Sequence, residues 1–289
     1  MTATTEELRT ARLTEAHAAA GFELSAEAGW NQTVDDWRLM LSDGDAIGQF
    51  AADGRLVASA LLLPYGERIA WIAMVLTTAD FRRRGLATAN LHWTIERCRE
   101  RGLIAGLDAT PDGVEVYRPL GFVETCGLQR LRAEQPEVTR PARGAVAIRP
   151  LQAARDLDTI ARLDAAVFGI ERRRLLDHLR RNEPQRALLA EAEGELAGLV
   201  LARAGRAALH VGPLVARNPT VARLLLAQAL VGAGGPVSID VPDRQSAFLE
   251  MLAGAGFAPV RPFTRMMMGA AETPGDIATC YAIVGPEFG

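Results

Sequence analysis

The sequence predicts an α+β chain made of two similarly ordered halves, and three observations carry that prediction. Short apolar runs such as residues 69–76 (IAWIAMVL) and 103–107 have the length of buried strands, and they alternate with helical patterns such as residues 85–101. Asp53-Gly54 stands between two apolar runs, a strong short-range hairpin signal. The order of elements then restarts after residues 135–144 (QPEVTRPARG), which hold two prolines and no apolar periodicity. The boundaries that follow are a first domain over residues 1–136, a linker over 137–143 and a second domain over 144–289.

Within the first half, residues 5–13 can be a strand or its lead-in, and residues 13–21 read as a helix. Thr33 and Asp36 have the form of a capping box opening a helix that carries Trp37, Leu39, Met40 and Leu41. The loop before it holds Trp30, Asn31 and Gln32; packing is one reading, and lining a pocket is the other. Residues 47–63 form the hairpin, residues 64–67 a second turn, and residues 69–76 the next strand. Next comes TTADFRRRGLAT, residues 77–88, which feeds the helix from Gly85. A strand, a glycine-bearing turn and a helix N-terminus can together hold an anionic group, because successive N–H groups point into the turn. Arg82, Arg83 and Arg84 add charge there. The strand over 103–107 ends in Asp108-Ala109-Thr110-Pro111, where Thr110 as N-cap and Pro111 at the first helical position start a helix. That helix carries Tyr117 and stops at Leu120-Gly121, before a strand opened by Phe122.

The second half repeats this order: a strand at 146–149, a helix at 153–167, a hairpin over 187–203, a strand at 207–215 and a helix at 219–231. A strand at 236–241, a helix at 243–254 and a strand through Met268 follow. Asp108 corresponds to Asp240, and Gly121-Phe122 to Gly256-Phe257. The turn that matches DFRRRGLA is ARNPTVARL, which has no glycine and places Pro219, without an N–H, at its centre. An anion held by the first turn is therefore not expected at the second.

The totals exclude several function classes. Length 289 suits two domains, and 49% apolar residues supply a core. A net charge of −3 gives no general case for nucleic acid or an anionic membrane surface. All 32 basic residues are arginine, which excludes a catalytic lysine and suggests a high-GC bacterial coding bias. Cys98, Cys126 and Cys280 have no CxxC spacing, which argues against a zinc site or disulfide framework and suits a reducing cytoplasm. No signal pattern or membrane-spanning run is present, so a cytoplasmic location is expected. His17, His92, His178 and His210 are scattered without metal-ligand spacing, so no metal is expected.

Arg82-Arg83-Arg84-Gly85-Leu86-Ala87 resembles the R/Q-x-x-G-x-G/A pyrophosphate motif of the GCN5-related N-acetyltransferases (GNAT). The strand ending Val75, Leu76, Thr77 stands just before it, and Tyr117-Arg118-Pro119-Leu120-Gly121-Phe122 is similar to the family's Y-x-x-L-G-F, with a proline inside. The second half resembles the C-terminal GNAT-like domain of a bacterial tandem-GNAT group through VGPLVARNP, IDVPD and GFAPVRPFTRM, and AGWNQTVDDW looks like that group too. The resemblance implies an α/β/α sandwich with a mixed, mostly antiparallel sheet in each domain. It implies acetyl-CoA or another acyl-CoA as co-substrate, bound by Val75, Leu76, Thr77, Arg82, Arg83, Arg84, Gly85, Leu86, Ala87 and Thr88. A backbone N–H near Val75 and Leu76 would polarise the thioester carbonyl, and Tyr117 would be the general acid.

A general base is harder to place. The family often uses a carboxylate on the strand that here reads IAWIAMVL, which has none. Asp108 is the best available carboxylate, as base or as acceptor binder, with capping as the bland alternative and a mechanism without a base also open. Trp30, Asn31, Trp37 and Asp108 are the candidates for contact with the acceptor. Residues 171–174 read as a solvated helix face and Met266–Met268 as core. Cys126 reads as a buried thiol, and the tail after Gly269 as a final strand or cover that could bring Tyr281 and Glu287 to the acceptor. The expected function is acyl-CoA-dependent N-acylation of a primary amine on a small metabolite. A CoA- or small-molecule-binding module without turnover and an aminoacyl-tRNA-dependent acyltransferase are the alternatives. A homodimer is left open.

Overall fold

The structure, a computed structural model, describes residues 8–139, 144 and 146–289. The greater part of the predicted linker, residues 140–143, lies outside the described residues. The chain forms two compact units: one runs through Leu107 and includes Phe288, and the other takes Asp108–Glu287 with Gly289. Each is a mixed, mostly antiparallel sheet flanked by helices, as the sequence predicts. Among the described residues no helix is long and apolar enough to cross a membrane.

The first unit carries β1 (Arg9–Arg12), α1 (Ala18–Glu27), α2 (Val34–Asp43), β2 (Asp45–Phe50), β3 (Leu56–Tyr65), β4 (Ile69–Thr77), α3 (Leu86–Glu100) and, through Leu107, most of β5 (Ile104–Ala109). β1 to β4 pair antiparallel in chain order, and β4 pairs parallel with β5. Ile69, Ala70, Leu61, Leu62 and Trp71 are almost fully buried, which is why β3 and β4 read as continuous apolar runs rather than as alternating ones. The predicted capping box is present: Asp36 N donates to Thr33 Oγ1 and Thr33 N to Asp36 Oδ2, at 3.2 and 2.7 Å. α3 is fixed to β2 by a reciprocal amide pair, Gln49 with Asn90, at 2.5 and 2.8 Å, which satisfies two buried side chains at once.

The second unit carries α4 (Pro111–Tyr117), β6 (Val123–Ala133), β7 (Val146–Pro150), α5 (Ala153–Phe168), α6 (Arg173–Asn182), β8 (Leu188–Ala192), β9 (Glu195–Arg203), β10 (Leu209–Ala216), α7 (Pro219–Ala229), β11 (Val237–Pro242), α8 (Ser246–Gly254), β12 (Ala258–Met268) and β13 (Cys280–Ala282). The boundary read from the linker and the division by packing differ because of β6. This strand precedes the linker, yet it pairs antiparallel with β11 over residues 128–133 and with β12 over residues 123–132. Its inward residues Leu131 and Ala133 join the core that also holds Val237, Ile239, Leu225 and Phe257.

Candidate active site

β4 of the first unit is interrupted where the family resemblance expects chemistry. Ser59 faces Leu76 and Leu61 faces Ala73, so Ala60 alone opposes Met74 and Val75: a β-bulge. Met74 adopts φ 51°, a strained value for a side-chain-bearing residue, and its carbonyl is held by Ser59 Oγ at 2.7 Å. On its other side β4 pairs with β5 only from Ile69 to Trp71. Beyond Trp71, among the described residues of this unit, that edge of β4 is open. A bulged strand with an unpaired edge can offer backbone N–H groups to a ligand, and Val75 and Leu76 lie at this bulge.

The turn after β4 places a helix N-terminus beside that edge. A 3-10 turn, Ala79–Phe81, buries Phe81, and Arg82 to Arg84 follow. Gly85, at φ 79°, opens α3 in the left-handed conformation that glycine adopts without strain, and a Cβ there would meet nothing within 4 Å. No side chain caps α3, and the N–H groups of Gly85, Leu86, Ala87 and Thr88 find no acceptor among the described residues. Arg82 Nε donates to the Thr77 carbonyl at 3.3 Å. Arg84 donates to the Asp80 carbonyl at 3.1 Å while its guanidinium stacks on Phe81 at 4.4 Å. These two arginines brace the turn from within; all three are exposed. Four free N–H groups, the helix dipole and three cations fit a pyrophosphate, so the residues present suit an acyl-CoA.

The corresponding place in the second unit is built otherwise. Asn218 caps α7, its Oδ1 accepting from Val221 N at 3.0 Å, and Pro219 has no N–H to offer. β10 carries the matching bulge, Gly212 and Pro213 facing Leu201 alone, and pairs with β11 only over Leu209–Val211. Here, however, the gap is filled. β13 pairs with β10 at Leu214 and Val215, and Ile283 N donates to the Asp240 carbonyl of β11 at 3.0 Å. Gly212 is required at this point, because a Cβ would lie 1.9 Å from the Ile283 carbonyl oxygen. The tail is therefore a strand of the second unit, and Tyr281 is buried in its core against Phe248, ring centroids 5.2 Å apart.

Several charged side chains of the second unit are buried. Asp108 receives both guanidinium arms of Arg265 at 2.8 and 2.9 Å. Burial pushes its carboxyl up and Arg265 pulls it down, with the net direction upward. Asp240 is clasped in the same bidentate way by Arg130, at 2.7 Å for each bond. Burial opposes its charge, but Arg130, with His210 and Arg203, holds the carboxyl below its ordinary value. His210, fully buried, lies 3.1 Å from Ser238 Oγ and 3.7 Å from Asp240. Burial outweighs that carboxylate, and with Arg203 and Arg130 nearby it depresses the imidazole to about 4. Glu287, from the tail, pairs with Arg203. The expectation of a solvated face over residues 171–174 needs correction at Arg172. It is buried, paired in bidentate fashion with Asp164 and hydrogen-bonded to the Gly289 carbonyl, because the tail covers this face.

Tyr117 ends α4, half-buried, its ring tilted against Phe122 at 6.0 Å. Gly113, one turn back, leaves room: a Cβ there would sit 3.0 Å from the ring. Burial pushes the phenol up to about 12, so it carries its proton at neutral pH. Pro119 falls in a 3-10 turn, Arg118–Leu120, that Gly121 stops at φ 98°. Among the residues expected at an acceptor site, Asn31 is buried and Trp30 half-buried, whereas Trp37 belongs to the core. The Trp37 indole is fully buried, bonded to Ser25 Oγ at 3.0 Å and stacked so closely on Gly21 that a Cβ there would approach it to 2.4 Å. One side chain went unnoticed in the sequence. Glu27, the last residue of α1, is exposed, and its Oε1 accepts from Ala79 N at 2.8 Å, in the turn after β4. The sequence signal was an acid at a helix C-terminus, where the dipole disfavours one.

Comparisons with known proteins bear on the family and the fold. A family model described as the acetyltransferase (GNAT) family matches residues 8–122, and one described as an acetyltransferase (GNAT) domain matches residues 160–282. The chain is 26% identical to the uncharacterised N-acetyltransferase YitH of Bacillus subtilis (strain 168), over 85% of this chain and 86% of that one. It is 25% identical to the holothin acyltransferase of Pseudoalteromonas sp. (strain SANK 73390), over 89% of this chain and 88% of that one. A crystal structure of a provisionally assigned acetyltransferase from Pyrococcus horikoshii shares the fold. Its TM-score is 0.78 at 21% identity, with 97% of this chain and 95% of that one covered.

Proposed function

The chain belongs to the GCN5-related N-acetyltransferase family as a tandem of two GNAT repeats, and we propose that it transfers an acyl group, acetyl by default, from acyl-CoA to a primary amine of a small metabolite. The observation that carries this reading is the uncapped N-terminus of α3 beside the bulged, open edge of β4. The N–H groups of Gly85 to Thr88 would receive the pyrophosphate, with Arg83 and its neighbours adding charge. The backbone at Val75 and Leu76 would hold the pantetheine end and donate to the thioester carbonyl. Acyl-CoA supplies the activated acyl carbon. Tyr117 is proposed as the general acid, since its phenol remains protonated across the neutral range. Asp108, both of whose oxygens bind Arg265, is proposed as an electrostatic partner of the acceptor region rather than as its proton acceptor.

A small-molecule acceptor is consistent with the one named in holothin acyltransferase, which aligns along most of both chains. The second repeat serves, on this reading, as scaffold, its own donor cleft being closed by β13.

Calorimetric titration with acetyl-CoA and thiol release against primary amines test the proposal together. Gly85→Glu should weaken acetyl-CoA binding at least 100-fold by placing a carboxylate in the cradle while leaving the far-UV circular dichroism unchanged. Unaltered affinity removes the pyrophosphate assignment. Tight binding without thiol release for any amine would favour a binding module.

A further inference from the structure

The family's usual strand carboxylate is missing from β4, and Asp108 is bound by Arg265. The first unit nevertheless brings one carboxylate onto the backbone of the donor-binding turn. Glu27 ends α1, where the helix dipole opposes a negative charge, so helix stability does not explain an acid there. Its Oε1 takes the Ala79 N–H, two residues beyond the end of β4, and this bond orients the side chain. The residue is exposed, so its carboxylate can be reached from solvent. Its surroundings carry unspent hydrogen-bonding capacity. Thr77 Oγ1 and Thr78 Oγ1, on the exit of β4, and Gln32 Oε1, on the loop that follows α1, are buried with no partner among the described residues. Buried polar atoms without partners are uncommon, and while others lie elsewhere in the chain, these three fall on the two segments that Glu27 joins.

We infer that Glu27 binds the ammonium group of the acceptor and takes the proton it must lose. The inference rests on the transferase reading above. The nitrogen gives up two protons in all: one passes to Oε2 and on to solvent, and the other, in net balance, replaces the proton that Tyr117 gives to the departing thiolate. Between these transfers the nitrogen lone pair forms the C–N bond and the C–S bond breaks. Ala79 N–H on Oε1 ties the carboxylate to the donor-binding turn throughout.

The test compares an amine protonated at neutral pH, benzylamine, with one already neutral, aniline, using acetyl-CoA and the full chain. Glu27→Gln keeps an acceptor for Ala79 N–H but has no charge and no basic oxygen. It should lower kcat/KM for benzylamine on the order of 100-fold, as removal of a general base does. For aniline the loss should stay under about threefold, since no ammonium proton need be taken. Acetyl-CoA affinity should not change. Glu27→Asp, which restores the charge, should recover part of the benzylamine activity. Equal losses with both amines, or none with either, overturn the inference and leave Glu27 as a structural clamp, with the transferase reading intact. A wild-type protein that binds acetyl-CoA but releases no thiol with either amine or with tyramine, spermidine or glucosamine overturns the transferase reading and this inference together.

Discussion

His210 offers a prediction whose size follows from its surroundings. The imidazole is fully buried and faces Asp240, Ser238, Arg203, Arg130 and Glu287, and its value is depressed to about 4. In the unfolded chain the ordinary value is about 6.5. Below pH 6.5 the unfolded chain therefore takes up a proton that the native chain refuses, and stability falls as pH falls. Above it both states are neutral and the full stability is present. Integrated from neutral pH to pH 5, this linkage costs about 2 kcal/mol. Asp240 stays ionised over the same window, because its carboxyl is held below the ordinary value. Urea unfolding of the full chain, followed by far-UV circular dichroism at pH 7.5 and 5.0, reads the effect. His210→Asn shifts stability at both pH values but lacks the titration. Wild type should therefore lose about 2 kcal/mol more than the variant between the two conditions. A difference below about 0.5 kcal/mol would refute a buried neutral histidine here.

Three further outcomes are expected. Tyr117→Phe should lower the rate of thiol release at least tenfold with acetyl-CoA affinity within twofold; an unchanged rate would mean that the ring only packs on Phe122. Arg265→Met strands the buried Asp108 charge and should destabilise the chain by about 3–5 kcal/mol in urea unfolding, most of it recovered when Asp108→Asn is added. Calorimetry should give one acetyl-CoA per chain, and a stoichiometry of two would show that β13 leaves the second cleft on binding.

The sequence revealed local chemistry well and long-range pairing poorly. The capping box at Thr33 and Asp36, the Asp53-Gly54 hairpin and the Gly85 turn appear as read, because each depends on residues within a few positions of one another. The placement of β6 could not be read. Its apolar pattern identifies a strand, but nothing in that pattern says that its neighbours are β11 and β12, more than a hundred residues away. Trp37 illustrates a related limit. An aromatic residue beside a polar loop suggests a pocket, and only the approach of Gly21 and Ser25 shows that the ring is sealed in. Arg172 was hidden by the same kind of distance: an arginine-rich stretch looks solvated until Asp164 and Gly289 cover one of its members. Glu27 was legible in principle, since an acid at the end of a helix invites the question of what holds it.

The two repeats show how one strand geometry can be turned to different ends. Both keep the bulge and the three-residue parallel pairing that opens the sheet, at Met74-Val75 in the first and Gly212-Pro213 in the second. In the second, Asn218 and Pro219 quench the helix N-terminus, and the chain's own β13 supplies hydrogen bonds to the opened strands. These changes reinforce one another. Without free N–H groups a pyrophosphate gains little there, and an unfilled gap would leave backbone groups of β10 and β11 without partners. Glycine at position 212 then admits the tail where a bound donor would otherwise lie. In the first repeat neither change is present: Gly85 leaves the α3 N–H groups uncapped, and no strand of that unit closes the edge of β4 beyond Trp71 among the described residues. A duplicated opening, closed from within in one copy and left open in the other, is the physical reason that the proposed acyl-CoA site lies at residues 75–88.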